Sequence, residues 1–379
     1  MELPAPPVKV CLVSPWCYQL LHNQKGKTFP FGGSEVQQVE LGKALVKRAD
    51  YRVSFMVGGF YREQPNRECL KLEGRTVWVY KTIACFNRIW GVDSVLDIWR
   101  LYSAMKAIDA DVYLLRGGGS LAGTVAFLAR KVFSKKFIYS SPHDRDSNGE
   151  FFKDHSFLIN RAFKYGLNNA NALICQHQEQ EKAFKLNLGL EAHVMKTMYA
   201  MDSAPPTKKP RAYVLWVSRL NSWKRPELFV ELVKRFPTQL FLMITNSDSG
   251  AHNFRKKIGA HPNLKILEKV PLEKMDTYFK KAKIFVNTSC TEGFPNTFVQ
   301  AAKNATPILS LTVNPEGMLE KNKMGRSVHD DFDRLVESLT EMLKNKNLWQ
   351  SMSKNAYNYA QKYHDRDKIV VDYLKIFES

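Results

Sequence analysis

NTSCTEGFPNTFVQAAKNATPILS, residues Asn287–Ser310, follows the apolar residues Ile284–Val286 and carries the clearest local plan in the chain. IFVNTS reads as a buried strand. TEGFPN, with its glycine and proline, reads as a loop. A helix opens near Asn296, and PILS is a second apolar run. Strand, loop, helix and strand in this order are the repeating unit of a parallel sheet. The helix start presents free backbone N–H groups and a partial positive charge to an anion. Gly293 lets the backbone approach a ligand closely.

The same alternation extends in both directions. Upstream, VKVCLVSP from Val8 is a nearly continuous apolar run, as expected of a strand covered on both faces. YRVSFMVGG, VWVYKTI, DVYLLRG, KFIYSSP and ALICQHQ are further strand candidates. Helical patterns near 92–108, 119–133, 153–169 and 178–187 separate them. The pattern breaks at MDSAPPTKKPRA, Met201 to Ala212, where three prolines and several cations mark a linker. It then restarts with YVLWVSRL, LFLMIT, LKILEKV, IFVNTS and PILSLT. The expectation is an α/β chain of two doubly wound, Rossmann-like domains facing a cleft, spanning 1–200 and 213–379 around the linker 201–212. Ligands of such sheets bind outside the carboxyl ends of the strands. The closing amphipathic segment, about 365–379, can pack within the second domain or cross back to the first.

Composition narrows the class. The chain has 379 residues, 44% hydrophobic and 12% aromatic, a folded composition large enough for two cores. Its 56 basic and 37 acidic side chains give a net charge of +19, which favours acidic partners such as nucleotide phosphates, nucleic acid or anionic lipid. The excess is spread over both halves, so neither is a basic tail. Cys11, Cys17, Cys69, Cys85, Cys175 and Cys290 form no Cys-x-x-Cys pair, and no metal or disulfide framework follows from them. The N-terminus lacks a signal-peptide pattern, and no apolar run reaches membrane-spanning length, so a cytoplasmic location is expected.

Three further segments carry candidate chemistry. In VLWVSRLNSWKRPELFVELVKRF, Arg219 and Lys224 fall between a strand and a helix, where a guanidinium fork and an ammonium can neutralise a diphosphate. In KFIYSSPHDRDSNGE, His143 follows a strand of the first half. FGGSE places Gly32 and Gly33 at the entrance of the first long helix, and RGGGS (Arg116–Ser120) is a second glycine-rich strand-to-helix turn. Neither fits a dinucleotide fingerprint or a P-loop.

Together these segments resemble the retaining, nucleotide-sugar-dependent glycosyltransferases of family 4, with the GT-B fold. TEGFPNTFVQ is similar to that family's E-x7-E region. The resemblance implies that Glu292 contacts the donor sugar, which its carboxylate can do by accepting hydrogen bonds from hydroxyls. Gln300 stands where the family usually has the second acid, the ribose ligand; an amide can still hydrogen-bond ribose but supplies no carboxylate. Arg219 and Lys224 match an R-x4-K arrangement that neutralises the leaving diphosphate, with Ser218 at a position often glycine. Gly293, Phe294, Pro295, Asn296 and Thr297 complete the implied donor loop. His143 matches a histidine that reaches the transferred sugar, and Gly32 and Gly33 a glycine-rich loop near phosphate and acceptor.

The resemblance implies transfer of a sugar from a UDP- or GDP-linked donor to a glycan or lipid-linked acceptor, as in polysaccharide or glycolipid assembly. It implies retention at the anomeric carbon by front-face attack. Among the Asp-x-Asp pairs, Asp109/Asp111 precede their strand and Asp365/Asp367 open the last helix. Asp144/Asp146 follow a strand and are the competitor for a metal. Because Arg219 and Lys224 already supply cations, no metal or other cofactor is expected. A degenerate glycosyltransferase-like scaffold is the rival that Gln300 favours. A nucleic-acid binder is favoured only by net charge and shows no recognisable motif. Finally, ACFNRIWGVDSVLDIWRLYSAMKAI mixes Phe86, Trp90, Trp99 and Tyr102 with Arg88, Arg100 and Lys106. It reads equally as core filling or as a peripheral interface with an anionic inner leaflet.

Overall fold

The structure is a computed structural model, and its description covers residues 6–22, 32–60, 64–84, 92–202, 211–245, 250–268 and 270–379. Phe86, Arg88, Trp90 and most of the expected linker lie outside these residues. The chain forms two compact units, Met1–Met198 with Arg366–Ser379, and Tyr199–Asp365.

The first unit is built on an eight-stranded sheet. Its strands are β1 (Val8–Val13), β2 (Tyr51–Gly59), β3 (Arg67–Leu72), β4 (Arg75–Ala84), β5 (Val112–Arg116), β6 (Lys136–Ser140), β7 (Ala172–Cys175) and β8 (His193–Val194). Their order is β3-β4-β2-β1-β5-β6-β7-β8, and all pairs are parallel except β3 with β4. Alternate residues of β1 explain the two covered faces. Val10 and Leu12 join one apolar cluster with Phe55, Leu114 and Ile138, while Cys11 and Val13 join another with Met56, Tyr113 and Phe137. The antiparallel pair turns through Glu73 and Gly74, both at positive φ (49° and 76°), the backbone a tight two-residue hairpin requires.

Helix Gly33–Val46 and the closing helix Arg366–Glu378 cover the first face, contributing Val39, Leu45, Ile369, Tyr373 and Phe377 to its core. Between these helices Arg366, 3% exposed, reaches Glu40 at 3.0 Å. Such a buried pair is costly to break from either side. The second face is covered by helix Val92–Ile108, by Ser120–Phe127 with its π-helical continuation Leu128–Val132, by Phe157–Asn168 and by Gln178–Leu188. Two of these cross closely. A Cβ on Gly123 would stand 2.3 Å from the Ala162 carbonyl oxygen, and one on Gly166 2.6 Å from the Ala122 backbone, so only glycine permits the contact.

The second unit carries a six-stranded parallel sheet of β9 (Tyr213–Ser218), β10 (Phe241–Thr245), β11 (Leu264–Glu268), β12 (Ala282–Asn287), β13 (Ile308–Ser310) and β14 (Gly325–Ser327), ordered β11-β10-β9-β12-β13-β14. The chain winds outward from β9 through β10 and β11, then restarts at β12 on the other side. The topological switch point therefore lies between the carboxyl ends of β9 and β12. At its border the outgoing and returning chain are tied together, with the Tyr199 N–H donating to the His364 carbonyl at 2.9 Å. Just inside, Arg211 donates to the carbonyls of Phe279, Ala282, Asn304 and Ala305 and to the Thr306 hydroxyl. Burial pulls the Arg211 guanidinium down to about 10.

Candidate functional site

The switch point of the second unit gathers most of the residues singled out in the sequence. β9 ends at Ser218, and Arg219 follows it, exposed. A short 3-10 turn, Ser222–Lys224, then brings Lys224 back over the loop that leaves β12. Lys224 Nζ lies 2.8 Å from Glu292 Oε2, and the two side chains are 15% and 16% exposed. The other oxygen, Glu292 Oε1, accepts from Asn287 Nδ2 at 3.1 Å and from Ser289 Oγ at 2.8 Å. A carboxylate offers about four lone-pair positions. Three are filled by named donors, so the group is held rigidly with about one acceptor position left for a ligand hydroxyl.

Lys224 is itself positioned through its backbone. Trp216 Nε1 donates to Thr288 Oγ1 at 3.0 Å, and that hydroxyl donates to the Lys224 carbonyl at 2.7 Å. The Cys290 N–H donates to the Trp223 carbonyl at 2.9 Å. Arg225 completes the brace. It sits at φ 46°, an uncommon left-handed backbone for a residue with a side chain. From there its guanidinium donates to the Thr288 carbonyl at 2.8 Å, to Thr312 Oγ1 at 2.7 Å and to Asp330 at 2.5 Å. Through that contact Arg225 holds the Asp330 carboxyl below the usual carboxylate range. Sequence reasoning missed Asn287, Thr288, Ser289 and Arg225. The first three stand in the quoted stretch but carry no spacing signal, and Arg225 is visible only through its backbone conformation.

Beyond Glu292 the loop turns through Gly293 into helix Asn296–Lys303. Phe294 is buried, its ring 5.4 Å from that of His364, and Pro295 caps the helix. Both serve to fix the loop. Asn296 and Thr297 form the half-exposed first turn, which contains no acid to compete for an incoming anion. Gln300, 7% exposed, stands one turn further along the same helix face as Asn296 and Thr297.

His143, Gly32 and Gly33 belong to the first unit. His143 is exposed and precedes a 3-10 turn, Asp144–Asp146, while its carbonyl accepts from Ser141 and Gln180. The two carboxylates of that turn go separate ways. Asp146 is buried and accepts from the Tyr139 hydroxyl at 3.0 Å and the Ser141 hydroxyl at 2.9 Å. Asp144 instead meets His177 Nε2 at 2.9 Å. The Gln180 N–H donates to His177 Nδ1, which places the ring proton on Nε2, facing Asp144. Burial pushes the Asp146 carboxyl above its ordinary range. Gly32 opens helix Gly33–Val46, and its N–H donates to Glu35 at 2.6 Å, so this amide is already committed to a capping interaction. In RGGGS, Arg116 donates to Ser140 Oγ at 2.8 Å, and Gly117, Gly118 and Gly119 all take positive φ.

Residues 199–359 match the family model described as Glycosyl transferases group 1, which covers most of the second unit. No curated protein sequence matches the chain. Among solved structures, sucrose-phosphate synthase from Thermosynechococcus elongatus superposes with a TM-score of 0.77 at 15% identity, covering 98% of each chain. HepE of Anabaena, solved with UDP and glucose, gives 0.72 at 14% identity over 98% of this chain and 99% of that one. TarM of S. aureus, solved with UDP and α-GlcNAc-glycerol, gives 0.73 at 9% identity over 98% and 100%. At these identities the likeness is one of fold, and the fold is that of the GT-B glycosyltransferases, with two Rossmann-like domains.

Proposed function

We propose that this chain is a metal-independent glycosyltransferase of the family 4 type. It transfers a sugar from a nucleotide-sugar donor to a glycan or lipid-linked acceptor, with retention at the anomeric carbon. The observation that carries the reading is the Lys224–Glu292 pair, 2.8 Å apart at the switch point of the second sheet and ahead of the helix start at Asn296. The group 1 match over this unit, and the nucleotides bound by HepE and TarM, support it.

On this reading the diphosphate lies over Arg219, Lys224 and the N–H groups of Asn296 and Thr297. Lys224 uses one N–H on Glu292 and keeps two for phosphate oxygens. Glu292 accepts a hydrogen bond from a sugar hydroxyl, and Gln300 from or to the ribose. In the transfer the bond between the anomeric carbon and the phosphate oxygen breaks, and the acceptor oxygen bonds to the same face. The acceptor proton passes to the departing phosphate. The fixed cations and the helix start stabilise charge as it builds on the leaving group, before any reorganisation is needed. They occupy the role that a metal ion would otherwise take.

The test is release of nucleoside diphosphate from UDP- and GDP-sugars with a glycolipid or glycan extract, with product anomers read by NMR. The expected result is turnover that survives excess chelator and gives the donor's own anomeric configuration. Abolition by chelator with rescue by magnesium or manganese would overturn the metal-independent mechanism. Inverted product would overturn retention. Gln300 in place of the expected acid favours a second reading, a non-catalytic relative that still binds nucleotide. Binding of UDP or GDP without turnover of any donor would establish it.

A further inference from the structure

The antiparallel end of the first sheet leaves part of one face exposed. Strands β2, β4 and β3 lie side by side there, and their registers set Ser54 beside Trp78, Arg67 beside Tyr80 and Lys71 beside Thr76. Strand alternation puts these residues and Arg52 on the same side of the sheet. Arg52, Arg67, Lys71, Thr76 and Trp78 are exposed, whereas Tyr80 is buried in the core cluster that holds Leu101 and Met105 of helix Val92–Ile108. The exposed part lies near the amino ends of β2 and β4, at the opposite edge from the carboxyl ends of the strands.

The chemistry of this surface is one-sided. It carries Arg52, Arg67 and Lys71, and no position on this side of the three strands is an acid. Lys71 Nζ donates to Thr76 Oγ1 at 2.9 Å rather than to a carboxylate. Arg67 lies over the Trp78 ring at 3.8 Å and the Tyr80 ring at 5.4 Å. A guanidinium stacked by its face keeps its in-plane N–H groups directed outward, where they can grip a carboxylate or phosphate in bidentate fashion. Trp78, 39% exposed, adds the apolar body of an indole. By strand geometry Arg67 and Lys71 stand about 14 Å apart along β3, and Arg52 lies about 10 Å from Lys71 across two strand spacings. No single small anion meets all three cations, whereas a chain with repeated negative charges can.

We propose that this surface binds an acidic polysaccharide, a chain of sugars bearing carboxylates or phosphates. A pyranose ring rests its apolar C–H face against the exposed part of Trp78, and the flanking cations take the acidic groups. Single-stranded nucleic acid is the rival polyanion. Sheets that read it stack two or three bases on separate aromatics. Here Tyr80 is buried, and Trp78 is the exposed aromatic of these three strands. The inference stands apart from the donor reading, since it involves neither Lys224 nor Glu292 and its test needs no turnover.

The test uses the full chain without nucleotide. It measures fluorescence anisotropy of labelled fragments of polygalacturonate, phosphomannan and dextran, and of labelled oligo(dT), at low and high salt. The expected result is binding to one or both acidic glycans and none to dextran, weakening as salt screens the charges. Which acidic glycan binds tells carboxylate from phosphate. Trp78→Ala and Arg67→Ala should each weaken binding about tenfold. Arg52→Ala and Lys71→Ala should each weaken it about fivefold. Arg67→Lys should not restore it, because an ammonium has no planar fork. Lys182→Ala removes an exposed cation from helix Gln178–Leu188 and should bind like the parent. Because the substituted side chains are exposed, the variants should melt like the parent; should Trp78→Ala or Arg67→Ala fail to fold, Arg52→Ala and Lys71→Ala decide. Absence of binding to either acidic glycan at low salt, equal binding of dextran, or losses no larger than in Lys182→Ala would overturn the proposal. Tighter binding of oligo(dT) that Trp78→Ala abolishes would also overturn it, assigning the surface to nucleic acid.

Discussion

Replacing Lys224 by methionine is the sharpest probe of the site. Methionine keeps most of the apolar stem and removes only the ammonium. Two effects follow. The donor diphosphate loses one partly desolvated cation. Truncating such a contact costs about 2 kcal/mol or more, and the lower figure applies because Lys224 remains 15% exposed and Arg219 stays in place. That is about a thirtyfold loss of affinity. Glu292 meanwhile keeps Asn287 and Ser289 as donors but loses its cation. Leaving it partly buried should cost about 1–2 kcal/mol of stability, a fall of a few degrees in melting temperature. Because the two side chains touch, Glu292→Gln in the Lys224→Met background should cost less than in the parent. The assay is calorimetric titration with UDP and with GDP at fixed low salt, beside thermal melts of all four proteins. A Lys224→Met variant that folds and binds the preferred nucleotide with parental affinity would refute the reasoning. Additive effects of the two substitutions would refute the coupling.

Substitutions at three other positions separate the remaining roles. Arg219→Ala should weaken nucleoside diphosphate binding about tenfold while leaving the melting temperature unchanged, since the side chain is exposed; equal affinity in titration would remove it from the site. Gln300→Leu should raise the donor KM by deleting a polar contact, whereas Gln300→Glu should keep substantial turnover. An unchanged KM in the leucine variant would show that Gln300 does not touch the donor. Burial raises the Asp146 carboxyl, so this group favours the fold only while protonated: its contribution is complete below the unfolded value and lost as pH rises through the folded one. Asp146→Asn should therefore raise the melting temperature at about pH 7, with the gain shrinking toward about pH 4; a gain that grows on acidification would contradict this account.

Much of the fold was legible because it is written in neighbouring residues. VKVCLV and YVLWVS are apolar on both sides, and only strands of a sheet covered on both faces can use them so. Gly293 and Pro295 mark the turn that opens into helix Asn296–Lys303, and Arg219 and Lys224 are bound to the end of β9 by chain connectivity alone. The hairpin strand β3 was not legible. Only half of its six residues are apolar, without strict alternation, and its turn is Glu73–Gly74 rather than a stronger turn pair. Nor could the sequence choose a side for the last helix. Its apolar face would serve either unit, and the buried Arg366–Glu40 pair, joining residues more than three hundred positions apart, exists only once the sheet order is fixed.

The same distinction governs the candidate site. Sequence supplied an acid and two cations, each beside a strand end. Their coupling, with Lys224 against Glu292, Trp216 and Thr288 bracing the backbone, and Arg225 tying down Thr288, depends on β9 and β12 being neighbours although β10 and β11 intervene in the chain. Trp99, 64% exposed on its helix, follows the same rule. An aromatic at helical spacing is core or interface according to what packs against it, and that is settled by tertiary burial rather than by the local sequence.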